Sequence, residues 1–125
     1  MSAKILVVDD SMMVRTQVGQ TLEWAGFEVV EASDGAEALV KLNDMPEMAL
    51  VVLDVNMPRM NGIDLLRQLA IRGVLSHIPV VMLTTEGHPQ LMRDAKALGA
   101  KGWIVKPFRA EHLVAAVRKL TGLAA

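Results

Sequence analysis

The sequence predicts an α/β fold in which a five-stranded parallel sheet carries helices on both faces. Three observations carry this. Short runs of β-branched and aliphatic residues without strict polar alternation recur along the chain, the pattern of buried parallel strands. Segments with apolar residues at helical spacing alternate with them, which argues for βαβ units with right-handed crossovers. Four of the runs also end on a chemically useful polar residue: Ile5-Leu6-Val7-Val8 on Asp9-Asp10, Leu50-Val51-Val52-Leu53 on Asp54, Val80-Val81-Met82-Leu83 on Thr84, and Trp103-Ile104-Val105 on Lys106.

The first helix is expected after Asp10, with Val14, Val18, Leu22 and Ala25 as its apolar stripe and Gly26 as its stop. Residues 27–32 form the second strand. Asp34-Gly35-Ala36-Glu37 reads as a capping-box variant opening a short helix, whose inward face is taken as Ala36, Leu39 and Val40. Asn43-Asp44-Met45-Pro46 breaks it before the third strand. Asn61-Gly62 opens a helix with Ile63, Leu66 and Ala70 on one side, ending near Gly73, and Ile78-Pro79 leads into the fourth strand. Pro89 suits a first helical position, with Leu91, Ala95 and Leu98 inward and Gly99 as the stop. The last helix carries Leu113, Val117 and Leu120. Residues 1–125 are expected to form a single domain with no output domain attached.

Composition narrows the function. The chain has 125 residues, 52% of them apolar and 22% charged, enough for one substantial core and too apolar for disorder. No apolar stretch approaches the roughly 20 residues that span a bilayer, and Met1-Ser2-Ala3-Lys4 does not resemble a signal peptide. The expected location is cytoplasmic, with no membrane insertion. The absence of cysteine removes disulfides, thiolate metal sites and thiol catalysis. A net charge of −1 and 3% aromatic residues argue against direct nucleic-acid binding, whether electrostatic or by base stacking. His77, His88 and His112 are scattered and read as surface residues. Lys101, Lys106, Arg109, Arg118 and Lys119 form no compact run, and most read as solvated charge. The nine methionines read mainly as core filling, with Met12-Met13 and Met57/Met60 near the acids as exceptions.

In an open parallel sheet, ligands bind in the crevice beyond the carboxyl ends of the strands. Singly, each terminal polar residue has a plain structural explanation: an aspartate after a strand caps the next helix, and a lysine is solvated. Together they are harder to explain that way. Asp9, Asp10 and Asp54 at adjacent strand ends repel one another, and a shared proton or a bound cation relieves this. An oxygen-only donor set favours Mg²⁺, with Mn²⁺ as the alternative, over zinc. Carboxylates act as nucleophiles in aspartyl-phosphate chemistry. A lysine ammonium and a threonine hydroxyl suit phosphoryl oxygens.

Asp9-Asp10, Leu53-Asp54-Val55-Asn56-Met57-Pro58 with Gly62, Leu83-Thr84-Thr85-Glu86, and Gly102-Trp103-Ile104-Val105-Lys106-Pro107-Phe108 resemble the receiver domains of two-component response regulators. The resemblance spans essentially the whole chain and looks most like stand-alone, chemotaxis-type members. It implies a flavodoxin-like (CheY-like) fold with strand order 2-1-3-4-5. It also implies that Asp54 is the phosphoacceptor. Asp10, Asp54 and the backbone carbonyl of Asn56 would be Mg²⁺ ligands, with Asp9 acting through water. Thr84 would be the switch hydroxyl that closes on the phosphoryl group, Lys106 the ion-pair partner of that group, and Lys106-Pro107 a cis peptide. Trp103 falls at the aromatic switch position, where tyrosine, phenylalanine or histidine is commoner. Asn56, Thr85 and Glu86 would tune access and hydrolysis, and Thr85 stands where many relatives carry Ala or Gly.

The implied partners are a chemotaxis-type (CheA-like) histidine kinase and a downstream target protein on the surface of the fourth helix, fifth strand and fifth helix. Such a domain is not a conventional enzyme; it catalyses its own phosphorylation and dephosphorylation. A phosphate sink or phosphorelay intermediate shares all of this chemistry. Two readings come from other classes. A haloacid-type aspartate-nucleophile phosphatase would want Asp-x-Asp, where this chain has Asp54-Val55-Asn56. A flavin-binding protein would want a Ser/Thr/Gly-rich first loop, where this chain has Asp9-Asp10-Ser11.

Overall fold

The computed structural model describes residues 3–55, 62–84 and 89–122. In chain order the elements are β1 (Lys4–Val8), α1 (Met12–Trp24), β2 (Glu28–Ala32), α2 (Gly35–Asp44), β3 (Leu50–Asp54), α3 (Gly62–Ile71), β4 (Val80–Thr84), α4 (Pro89–Leu98), β5 (Gly102–Val105) and α5 (Ala110–Thr121). A short 3₁₀ turn, Val74–Ser76, follows α3. The sequence reading had no place for that turn. All strand pairs are parallel, in the order β2-β1-β3-β4-β5. Fold class and strand order are therefore as the sequence implied.

Side-chain alternation sorts the core into two layers. Leu6, Val8, Val51, Leu53, Val80 and Met82 face α2, α3 and α4. Ile5, Val7, Leu50, Val52, Val81 and Leu83 face α1 and α5, chiefly through Val18, Leu22, Leu113 and Val117. Strands β1, β3 and β4 are covered on both faces, which is why they read as continuous apolar runs. The other two are edge strands and only part-buried: β2 exposes Glu28 and Glu31, and β5 exposes Val105. The second strand starts at Glu28; Phe27 instead plugs the core at the turn, its N–H donating to the Leu22 carbonyl.

The inward face of α2 differs from expectation. Ala38 and Leu42 are buried and Leu39 half-buried, whereas Ala36 is exposed and Val40 is 58% exposed. The cap fixes this phase: the Asp34 carboxylate accepts the Glu37 N–H at 2.8 Å, and Ser33 donates its hydroxyl to the Glu37 carboxylate at 2.9 Å. The methionines divide along the expected line, with Met12 and Met13 as exceptions to core filling. Met48 and Met82 fill the core, but Met12 and Met13 are each 71% exposed. Met57, Met60 and His88 lie outside the described residues; His77 and His112 are exposed, as expected.

Truncating Leu66, fully buried in the α3 layer, to alanine should cost about 2–5 kcal/mol. Val40→Ala should change stability by less than about 0.5 kcal/mol. Urea denaturation of both variants checks the assignment, and a Val40 loss rivalling that of Leu66 would restore the original phase of α2.

Candidate phosphoryl-transfer and metal site

The strand order reverses direction between β1 and β3, so the crevice beyond their carboxyl ends is the switch point of the sheet. Asp9 and Asp10 leave the end of β1, and Asp54 is the last residue of β3. Their carboxylates approach so closely that one oxygen from each lies within 4.8 Å of the others. Asp9 and Asp54 are buried, and Asp10 is exposed at the mouth.

Lys106 crosses from the end of β5 and places its ammonium between the two buried acids. Nζ donates to Asp9 Oδ2 at 3.0 Å and to Asp54 Oδ1 at 3.3 Å. Its side chain is 15% exposed, against 1% and 3% for its partners. Burial alone would lower the Lys106 pKa. The Asp9 hydrogen bond and the charges of Asp54 and Asp9 outweigh it, and the ammonium is held above its ordinary value. Repulsion between the acids, expected to need a proton or a cation, is thus answered in part by the chain's own lysine. One ammonium among three carboxylates leaves the site acidic, and an oxygen-only set of this kind fits a hard divalent cation.

Local structure fixes each member. The second oxygen of Asp9, Oδ1, accepts the Ser11 N–H at 2.9 Å, while Ser11 caps α1 by accepting the Val14 N–H at 3.3 Å. Both Asp9 oxygens are therefore engaged by the protein. Gly62 donates its N–H to the Val55 carbonyl at 2.9 Å. A Cβ at that position would lie 2.3 Å from the Asp54 carbonyl oxygen and 2.7 Å from Val55 Cα. Only glycine lets α3 start this close to the strand that carries Asp54. Val55 in turn donates to the Leu83 carbonyl, and Lys106 donates its backbone N–H to the Thr84 carbonyl. The Lys106–Pro107 peptide is cis.

Thr84 is fully buried at the end of β4. In the β4–β5 register Met82 pairs with Trp103 and Thr84 with Val105. Alternation then puts Thr84 and Trp103 on the same face of the sheet, under α4. Trp103 packs on that layer, and its indole Nε1 is buried with no hydrogen-bond partner among the described residues. Asn56, Thr85 and Glu86, the expected metal carbonyl and tuning positions, lie outside the described residues.

Sequence reasoning missed Arg15. Its Nη1 donates to the Asp9 backbone carbonyl at 2.6 Å, and its Nε pairs with Glu31 of β2 at 3.0 Å. A guanidinium one turn into α1 thus ties the helix, the β1 end and the edge strand together behind the acids. The only prior signal was its position four residues after the Ser11 cap, on the turn nearest the acid pair.

Residues 5–118 match the family model described as response regulator receiver domain. The chemotaxis protein CheY1 of Helicobacter pylori strain J99 is 40% identical over 111 residues, 88% of this chain and 90% of its own. Chemotaxis protein CheY4 of Vibrio cholerae superposes with a TM-score of 0.89 at 40% identity, covering 96% of this chain and 99% of that one. The CheX–CheY–BeF3–Mg²⁺ complex from Borrelia burgdorferi contains a chain with a TM-score of 0.86 and 33% identity, covering 94% of this chain and 88% of that one.

Lys106→Met, which leaves two buried carboxylates without their ammonium, should destabilise the protein by up to about 3 kcal/mol. In chemical denaturation, a divalent cation should recover more of that loss than it adds to the wild type. Because the Lys106 pKa is raised on folding, its stabilising contribution is complete below the ordinary value of 10.5. It is lost as pH climbs through the higher folded value; denaturation midpoints that fall already between pH 7 and 9 in wild type but not in Lys106→Met would contradict this.

Proposed function

The chain belongs to the response regulator receiver family, is similar over most of its length to CheY proteins, and on that premise we propose that it is a single receiver domain taking phosphate from a histidine kinase onto Asp54. The observation that carries this is the Asp9–Lys106–Asp54 cluster at the switch point of the sheet, with Asp10 at its mouth. Asp54 is the proposed nucleophile. A carboxylate oxygen attacks the phosphorus of the kinase's phosphohistidine, the P–N bond breaks with its electron pair returning to the imidazole, and a mixed anhydride forms. Water later attacks the same phosphorus, releasing inorganic phosphate and restoring the carboxylate.

Asp10 and Asp54 would hold Mg²⁺ (Mn²⁺ in its place), with Asp9 contributing through water. The fit rests on their clustered oxygens, an all-carboxylate set among the described residues. When bound, the ion supplies positive charge that shields the nucleophile from an anionic donor. The residues themselves do the rest. Lys106, already hydrogen-bonded to Asp54, is placed to follow the new phosphoryl oxygens as a compact cation. Thr84, at the neighbouring strand end, can bring its hydroxyl to another of them.

The state would be relayed as a population shift between two arrangements of one fold. Thr84 and Trp103 share a sheet face, and the indole N–H is buried without a partner among the described residues, which favours a second position for that ring. Movement there changes the cleft of about 500 Å³ that Pro89, Met92 and Ala95 of α4 form with Trp103. A target protein recognising the α4–β5–α5 surface would read it. Chemotaxis is the favoured setting and the cytoplasm the favoured location; among the described residues no helix is long and apolar enough to cross a membrane.

Radiolabel from a phosphorylated histidine kinase should reach the wild type in the presence of Mg²⁺ and fall to background in Asp54→Asn. Undiminished labelling at another residue would sink the assignment. Asp10→Asn should melt at a higher temperature than the wild type without metal, because one of three like charges is gone. It should lose the further rise that Mg²⁺ gives the wild type. A variant that still responds fully to Mg²⁺ would remove Asp10 from the metal site.

A further inference from the structure

An aromatic side chain lies in the open at the end of the molecule remote from the acid site. Trp24, the last residue of α1, is 92% exposed. Twelve residues separate it from Met12 at the acid end of that helix, roughly 18 Å along the axis. It forms one wall of a groove of about 560 Å³ between α1 and α5, whose other wall presents Glu111, Val114, Ala115 and Arg118. A fully exposed tryptophan beside an open, mostly apolar groove marks an interaction surface.

We propose that this groove is the contact for a second copy of the same chain, paired about a two-fold axis on α5. The charges along α5 carry the choice of occupant. Glu111 and Arg118 are exposed, on one face of the helix, seven residues or about 10.5 Å apart. Val114 and Ala115 lie midway between them. An axis passing between those two small residues sets the two α5 helices antiparallel. Each Glu111 then meets the partner's Arg118 at either end of an apolar centre, the self-complementary pattern of an isologous interface. Arg118 also has an interaction within its own chain, and its five N–H donors leave capacity for a further carboxylate. A net charge of −1 puts little general repulsion in the way. Trp24, walling the same groove on both copies, supplies the large apolar area that the short side chains of α5 lack.

This contact uses the α1 side of α5. The β5 side of the same helix, where His112 and Ala116 line a separate groove with Trp103 and Phe108, is left open. The proposal does not depend on the phosphoryl chemistry, and its test reads mass alone. Sedimentation of the wild type from micromolar to millimolar concentration should show a monomer–dimer equilibrium, and Trp24→Lys should stay monomeric throughout. Glu111→Arg and Arg118→Glu, each of which sets like charges against each other, should each be monomeric when alone. Mixed in equal amounts they should dimerise, because the first variant then carries an arginine at both positions of α5 and the second a glutamate at both. Every cross-interface pair is again of opposite sign. That recovery also rules out misfolding as the cause of the single losses. A wild type monomeric at every concentration, a Trp24→Lys dimer as strong as the wild type, or a mixture that fails to associate would each overturn the proposal. Binding of a different protein to the groove of a strictly monomeric chain would overturn it too.

Discussion

The Lys106 ammonium, held between the carboxylates of Asp9 and Asp54, is the interaction on which the site depends. Two buried carboxylates at the ends of neighbouring strands are an unfavourable arrangement in a low-dielectric interior. The strand order makes it unavoidable, because β1 and β3 are adjacent and both end at the switch point. β5 is two strands away from β3 across β4, and only a long side chain reaches back from its end. Lysine has that reach and delivers its charge as a point, so one cation serves both acids. That cation relieves part of the repulsion that the parallel fold imposes on the acid cluster.

Other features hold the backbone against this electrostatic demand. Gly62 lets α3 begin against the Asp54 carbonyl, where any side chain would force strand and helix apart. Arg15 grips the Asp9 carbonyl and Glu31, and Ala32 accepts the Asp9 N–H at 3.2 Å. The Asp9 main chain is thus fixed from both sides, and its carboxylate is engaged at both oxygens. Asp10 differs: it is exposed, and Lys106 does not reach it among the described contacts. The one ammonium shared by Asp9 and Asp54 leaves a negative charge on that pair, and Asp10 adds a second at the mouth. That division, with two acids sharing one cation from within and one facing solvent, suits a site that takes up a cation reversibly.

Much of this was legible in the sequence, for reasons that can be named. Strands buried on both faces need continuous apolar runs, so β1, β3 and β4 and the polar residues that end them stood out. The edge strands were marked less sharply, since one side of each is not covered and its burial is partial. The face of α2 was misread because Ala36 and Val40, like Ala38 and Leu42, are an apolar pair four residues apart. Periodicity alone does not choose between two such pairs; the cap at Asp34 and the packing on β2 do. Arg15 was invisible because it binds a main-chain carbonyl, which has no residue signature. Trp24 was passed over for a different reason. It falls at the end of a helix whose stripe was already accounted for, and nothing in its spacing distinguishes a buried tryptophan from one left in solvent.

The sheet itself separates two kinds of communication. Thr84 and Trp103 lie on the face covered by α4, so a change at the acid site that draws on the threonine is felt first beneath that helix. The α1 and α5 layer lies on the opposite face, packed through Val18, Leu22, Leu113 and Val117. Close-packed interiors transmit strain along contacts, and few contacts cross from one layer to the other except through the strands. On the proposed reading, the α4–β5 cleft reports the state of Asp54, while the α1–α5 groove is insulated from it. α5 borders that groove through Glu111 and Arg118, and through His112 and Ala116 it borders a separate groove that shares Trp103 with the α4–β5 cleft. A single helix can therefore serve a state-dependent surface and a constitutive one, because the residues that define each point away from the other.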